Sequence, residues 1–232
     1  MPEKPKILPD GSLNLPDGST YNGSLVFNNE DGLSKLPNNL VVNGTLQLWK
    51  CPRLKVLPDH LVVREDLVLS DLPGLIALPE DLKVGTHLHL RACPGLASLP
   101  RHLSISGSLI AEDCTGLTTL SDILSVDTLS VKGCPLLLSL ANTVSASNID
   151  IAGCPSLVNL ASSLSVKIWI SLADCPRLLS LPASLKVGEY VFAVGCPLLQ
   201  LPDNYKIRSD VEPNSGRKAV KATPKKGLFG LF

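Results

Sequence analysis

The sequence predicts a mainly β repeat solenoid, and three observations carry that reading. One leucine recurs at Leu15, Leu36, Leu57, Leu78, Leu99, Leu120, Leu140, Leu160, Leu181 and Leu201, in steps of 20 or 21 residues. A fixed period in this range marks stacked units that bury their apolar faces only against one another. Within each unit apolar residues alternate, as in Leu82, Val84, Leu88 and Leu90, or Leu40, Val42, Leu46 and Leu48, and period two is the strand signal. Finally, cysteines at 51, 93, 114, 134, 154, 175 and 196 share one phase of the repeat, where the third copy carries Leu72 and the first Glu30.

Leucine in that phase makes it a buried apolar slot, in which cysteine serves as a small hydrophobe with a weak donor. Stacked neighbours in such a row stand about 4.8 Å apart, wider than the Cβ separation of about 3.8 Å that a disulfide favours. An odd number of cysteines, one per unit, is not a disulfide framework. The expectation is reduced thiols and a reducing compartment, hence the cytoplasm, or alternatively a protein delivered into a host cell. No Cys-x-x-Cys pair or histidine stands at ligand spacing, so no metal or other cofactor is expected.

The elements follow in order. Residues 1–14 carry Pro2, Pro5, Pro9 and Gly11 and form a loop or irregular cap over the first open turn. Residues 15–208 form the solenoid, nine repeats and a partial tenth. Copy one is degenerate, with Asn29-Glu30 at the cysteine region, as terminal units commonly are. Glycine or a polar residue (Gly44, Glu65, Gly85, Gly107) separates the two apolar pairs, and some copies lose a residue there, between Val126 and Leu129 and between Ala146 and Ile149. That predicts two short strands per copy with a bend between them. Cys-Pro-x-Leu, as in Cys93-Pro94-Gly95-Leu96, ends the ladder because proline removes a donor. The Leu-Pro return then has room for extended or short 3₁₀ segments. In copies six to eight Ser121, Ala141 and Ala161 replace its proline.

The pattern Leu-x-Leu-x-x-Cys-x-x-Leu-x-x-Leu-Pro-x-x-Leu-x-Val resembles a leucine-rich repeat of the short bacterial type, with cysteine in place of the ladder asparagine. It covers about residues 15 to 207. The resemblance implies a curved solenoid with parallel strands on the concave side. The chain departs from the family where Leu88 follows Val84 by four positions rather than three, and a straighter parallel β-solenoid is the alternative.

If Leu88 and Leu90 point inward, His87, His89 and Arg91 point outward. The same parity places Trp49, Trp169, Tyr190 and Phe192 on the presented face. Exposed aromatics anchor protein interfaces, so Trp169, Tyr190 and Phe192 are the principal candidate contact for a protein partner. Trp49, His87, His89 and Arg91 form a secondary one, and the alternative role for the aromatics is to cover the C-terminal end. His87 and His89, beside Asp66 or Glu112, lack a third ligand at fixed spacing and suit a pH-sensitive contact better than a metal or acid–base chemistry.

Residues 209–232 have a linker composition with Arg217, Lys218, Lys221, Lys225 and Lys226, and end in Gly-Leu-Phe-Gly-Leu-Phe. Leu228, Phe229, Leu231 and Phe232 read as a docking peptide on a basic tether, aimed at a protein groove, an anionic membrane surface or the open end of the solenoid. Twenty-one basic and twenty-one acidic residues balance, which gives no electrostatic basis for binding nucleic acid, and no stretch approaches the roughly 18 apolar residues of a membrane span. No nucleophile–base set or phosphate loop appears. The functional expectation is a non-enzymatic protein-interaction module, such as a bacterial adaptor. The alternatives are a self-assembling scaffold component and a translocated effector.

Overall fold

The computed structural model describes residues 3–200, 205–207 and 219–222. The first turn holds β1 (Thr20–Tyr21) and β2 (Leu25–Asn28), the second β3 (Val41–Val42) and β4 (Leu46–Trp49). The third holds β5 (Val62–Val63) and β6 (Leu67–Ser70), the fourth β7 (Lys83–Val84) and β8 (Leu88–Arg91), and the fifth β9 alone (Leu109–Glu112). Single long strands follow, β10 (Ile123–Ser130), β11 (Thr143–Asp150) and β12 (Ser163–Ser171), before the ninth turn divides into β13 (Lys186–Val187) and β14 (Tyr190–Phe192). Two further strands, β15 (Tyr205–Ile207) and β16 (Ala219–Ala222), complete the order. Among the described residues there is no helix, and the chain is a parallel β-solenoid.

The leucine rows make it so. In the fourth turn Leu82, Val84, Leu88, Leu90, Cys93, Leu96 and Leu99 are all buried, and their equivalents in neighbouring turns form one continuous core. Backbone ladders tie turn to turn. The β2–β4–β6–β8–β9–β10–β11–β12–β14 series is parallel throughout and pairs equivalent leucines, Leu46 with Leu67 and Leu67 with Leu88. A four-stranded sheet of β1, β3, β5 and β7 forms a second side. A sparser line of bridges, such as Ser98–Thr119 and Ser139–Asn159, ties the return segments.

Both proline motifs are β-turns, where extended or 3₁₀ segments were expected. Leu96 N–H donates to the Cys93 carbonyl at 3.2 Å around Pro94, and Leu82 N–H donates to the Pro79 carbonyl at 3.1 Å. In the Cys-Pro turn the proline holds the second position and supplies the φ this geometry needs, whereas in the Leu-Pro turn it holds the first and offers its carbonyl. The residue before each turn is also fixed. Asn29, Lys50, Asp71, Ala92, Asp113, Gly133, Gly153, Asp174 and Gly195 all carry positive φ, between 50° and 75°. Each lies in the left-handed region just before the Cys-Pro turn or its equivalent, directly after the strand in the first five turns and three residues beyond it in the last four, and steers the chain off the sheet.

The expectation of two short strands per copy fails in the middle of the solenoid. In copies six and seven, where the bend residue is deleted, the two strands fuse into the eight-residue β10 and β11. Copy eight regains the residue as a bulge, with Ser147 facing both Lys167 and Ile168 in the register between Ala146–Val166 and Asn148–Trp169. The bulge leaves Ile168 exposed. Where the bend is kept, Gly85 lies so close to the Arg64 carbonyl that a side chain there would collide with it.

The thiols lie where the repeat phase put them. All seven cysteines are free, and all are buried except the half-buried Cys196. Sulfurs reach a carbonyl near the end of the preceding turn's strand, Cys134 Sγ to Ala111 O at 3.1 Å, Cys154 to Val131 O at 3.2 Å and Cys175 to Ile151 O at 3.2 Å. Burial pushes the thiol pKa up to about 12 in Cys134, about 11 in Cys154 and about 12 in Cys175.

At the amino-terminal end an antiparallel pairing of Ile7 with Leu13 packs both residues against the first turn. At the other end β16 runs antiparallel to β14, Ala219 facing Phe192 and Lys221 facing Tyr190, and β15 pairs with its far side. The expected docking residues Leu228, Phe229, Leu231 and Phe232 lie outside the described residues.

Candidate partner-binding surface

The face of the long sheet turned away from the core carries every candidate residue of the solenoid, in three separate groups. Trp49 is half-buried and held by its own chain. Its indole Nε1–H donates to Asp71 Oδ2 at 2.6 Å, and Lys50 Nζ stands 4.5 Å from the ring centroid. Two strands further on, Arg91 is exposed, in register with Ser70 on one side and Glu112 on the other.

His87 and His89 are half-buried, with ring centroids 5.8 Å apart and planes tilted by 56°. His87 N–H donates to Asp66 Oδ1 at 3.1 Å, and its Nδ1 accepts the Ser108 N–H at 2.9 Å. That acceptor role puts the proton of the neutral ring on Nε2 and engages the histidine in tying two turns together. Burial, and then the neighbouring His87, hold the His89 pKa below its ordinary value against the opposing carboxylates of Asp66 and Glu112. Among the described residues no group of three or more His, Cys, Asp or Glu is placed to hold a metal ion.

The third group is the densest. Register places Trp169 beside Tyr190, and Ser171 beside Phe192. The Trp169 and Phe192 rings meet edge to face at 6.4 Å, and Tyr190 stacks on Phe192 at 6.1 Å, near parallel at 30°. All three rings remain partly open to water. Trp49 lies six strands from Trp169, about 29 Å at sheet spacing, so the two tryptophans belong to different sites.

Alternation alone does not decide exposure on this face. Ser130, Ser171, Ala152 and Ala173 have the outward parity yet are buried. All four are small residues, and one of them, Ser171, lines a hollow of about 220 Å³ together with Asp150, Trp169 and Phe192. Asp150 and Ser171 were not among the candidates. The signal that would have found them is a run of small residues in register with aromatic ones. A second surface was also missed. Leu136, Leu138, Leu179 and Leu198 are more than half exposed on the return segments of the carboxy-terminal turns.

Fold and surface together define a parallel β-solenoid that presents an aromatic cluster at one end of its long sheet. Comparison with protein-family models, with curated proteins and with solved structures finds no match for this chain. Among the described residues no helix is long and apolar enough to cross a membrane.

Proposed function

We propose that the chain is a non-enzymatic interaction module of leucine-rich-repeat type that grips a protein partner on the presented face of its long sheet. The observation that carries the reading is the cluster of Trp169, Tyr190 and Phe192, three mutually packed rings left partly open to water in a protein whose aromatic content is 4%. Packed, half-desolvated aromatics are the usual energetic centre of an interface, and large apolar patches on a monomer generally have a purpose. Arg91, His87 and His89 supply a polar contact further along the same face. The buried thiols accord with work in a reducing compartment such as the cytoplasm. The leucine, cysteine and proline spacing supports an adaptor of the short bacterial repeat class.

The test is affinity capture from cells with wild-type protein and Trp169→Ala side by side. The variant loses the captured partner while its melting temperature stays nearly unchanged. Retention of the partner, or a collapse in stability as large as that of a core leucine variant, overturns the assignment.

A further inference from the structure

We infer that the hollow beside Trp169 is a receptor for a primary ammonium group, the side chain of a lysine presented by the protein partner. The inference rests on the partner-binding reading above and adds the chemistry that the partner must bring.

Its polar lining is a buried serine oxygen and a carboxylate. The Ser171 oxygen is buried, lines the hollow and has no hydrogen-bond partner. The buried Asn148 Oδ1 is likewise unmet, on the strand position that faces Trp169. Between them in the sheet stands Asp150, two residues after Asn148 and directly across from Ser171. One of its oxygens accepts the Ala152 N–H at 3.0 Å. Among the described residues no lysine, arginine or histidine forms an ion pair with it. A buried oxygen left without a partner is unfavourable, so the Ser171 oxygen, beside a carboxylate with no ion pair among the described residues, describes a site for a hydrogen-bond donor carrying positive charge.

The rings select the same guest. Trp169 and Phe192 stand edge to face across the hollow, so a cation entering there meets an aromatic face as well as the carboxylate. The Asp150 carboxylate and the Ser171 oxygen can both accept from a compact ammonium, whereas the flat fork of a guanidinium suits a carboxylate with both oxygens open, and one Asp150 oxygen already accepts the Ala152 N–H.

The experiment uses the full chain in a Trp49→Phe background, so that Trp169 is the sole tryptophan reporter. The probes are a pentalysine peptide, the same peptide acetylated on every Nε, and the neutral sugar maltotriose. Pentalysine shifts the Trp169 emission saturably, the acetylated peptide binds at least tenfold more weakly, and maltotriose does not bind. Asp150→Asn keeps the oxygen that Ala152 uses, and therefore the fold, but weakens pentalysine at least tenfold, and Ser171→Ala weakens it several-fold. Equal binding of the two peptides, undiminished binding by Asp150→Asn, or binding of maltotriose alone overturns the proposal. In those cases the captured partner still depends on Trp169, whereas a partner indifferent to Trp169→Ala refutes the wider reading instead.

Discussion

Exchanging alanine and glycine along the strand-terminal column should change stability with opposite signs at two equivalent positions. Ala92 and Gly153 occupy the same place in their turns, at φ of +50° and +73°. A left-handed residue with a side chain is unfavourable by about 1–2 kcal/mol, and glycine loses about 0.5–1 kcal/mol of extra backbone freedom on folding. Ala92→Gly therefore stabilises by the difference, about 0.5–1 kcal/mol. Gly153→Ala destabilises by a similar amount. A side chain added at Gly153 meets its nearest neighbour, the Gly133 nitrogen, at 3.7 Å, an ordinary contact, so no clash confuses the reading. At about 2–4 °C per kcal/mol for a chain of this size, the two variants straddle wild type by up to about 4 °C in thermal unfolding followed by circular dichroism. The result that refutes the reasoning is a loss of stability on Ala92→Gly, which would mean that the methyl group packs more than the backbone strains.

Cys134→Ser should destabilise by about 1–3 kcal/mol, because a more polar group enters a fully buried slot even though it retains a donor for the Ala111 carbonyl; urea unfolding measures it, and an unchanged midpoint would place the row at the surface. Thiol titration of native protein at pH 8 should report fast reaction of Cys196 alone, with the other six appearing only in denaturant, since burial shields their sulfurs from the reagent. The pH dependence follows from His89. Its folded pKa lies below the ordinary 6.5, so the unfolded chain binds the proton more readily. Stability is then full above that value and declines as the pH falls through it, against the background of His87, Asp66 and Glu112. His89→Gln should lose less melting temperature than wild type between pH 7.5 and 5, and an equal loss would remove His89 as the cause.

Most of the architecture was legible because stacking repeats the same constraint many times. Leu88 alone says little, but its equivalents Leu46, Leu67, Leu109 and Ile149 in one phase leave a single solution. The fused strands were half legible. The deletion between Val126 and Leu129 marked a change at the bend, but whether a shortened bend tightens or straightens depends on the ladder of the neighbouring turn. The left-handed column was visible as Asn29, Asp71, Asp113, Gly133, Gly153, Asp174 and Gly195, with Lys50 and Ala92 obscuring the rule. The surface was harder to read. Parity put Trp169 and Phe192 on the presented face but could not say that their bulk would bury Ser171, since burial on an open face depends on the size of lateral neighbours rather than on alternation. The stripe of Leu136, Leu138 and Leu179 went unseen for a related reason, as it lies on return segments with no strand period to sort it.

The sorting of side chains into inward and outward sets is what every functional statement needs, and two phenylalanines report it within one molecule. Phe27 is fully buried beneath β2, while Phe192 stands partly open on β14. Hydroxyl-radical footprinting read by mass spectrometry should label Phe192, with Trp169 and Tyr190, in the native protein and leave Phe27 unlabelled until denaturant is added. Native protection of Phe192 equal to that of Phe27 would contradict the presented face and the binding function built on it.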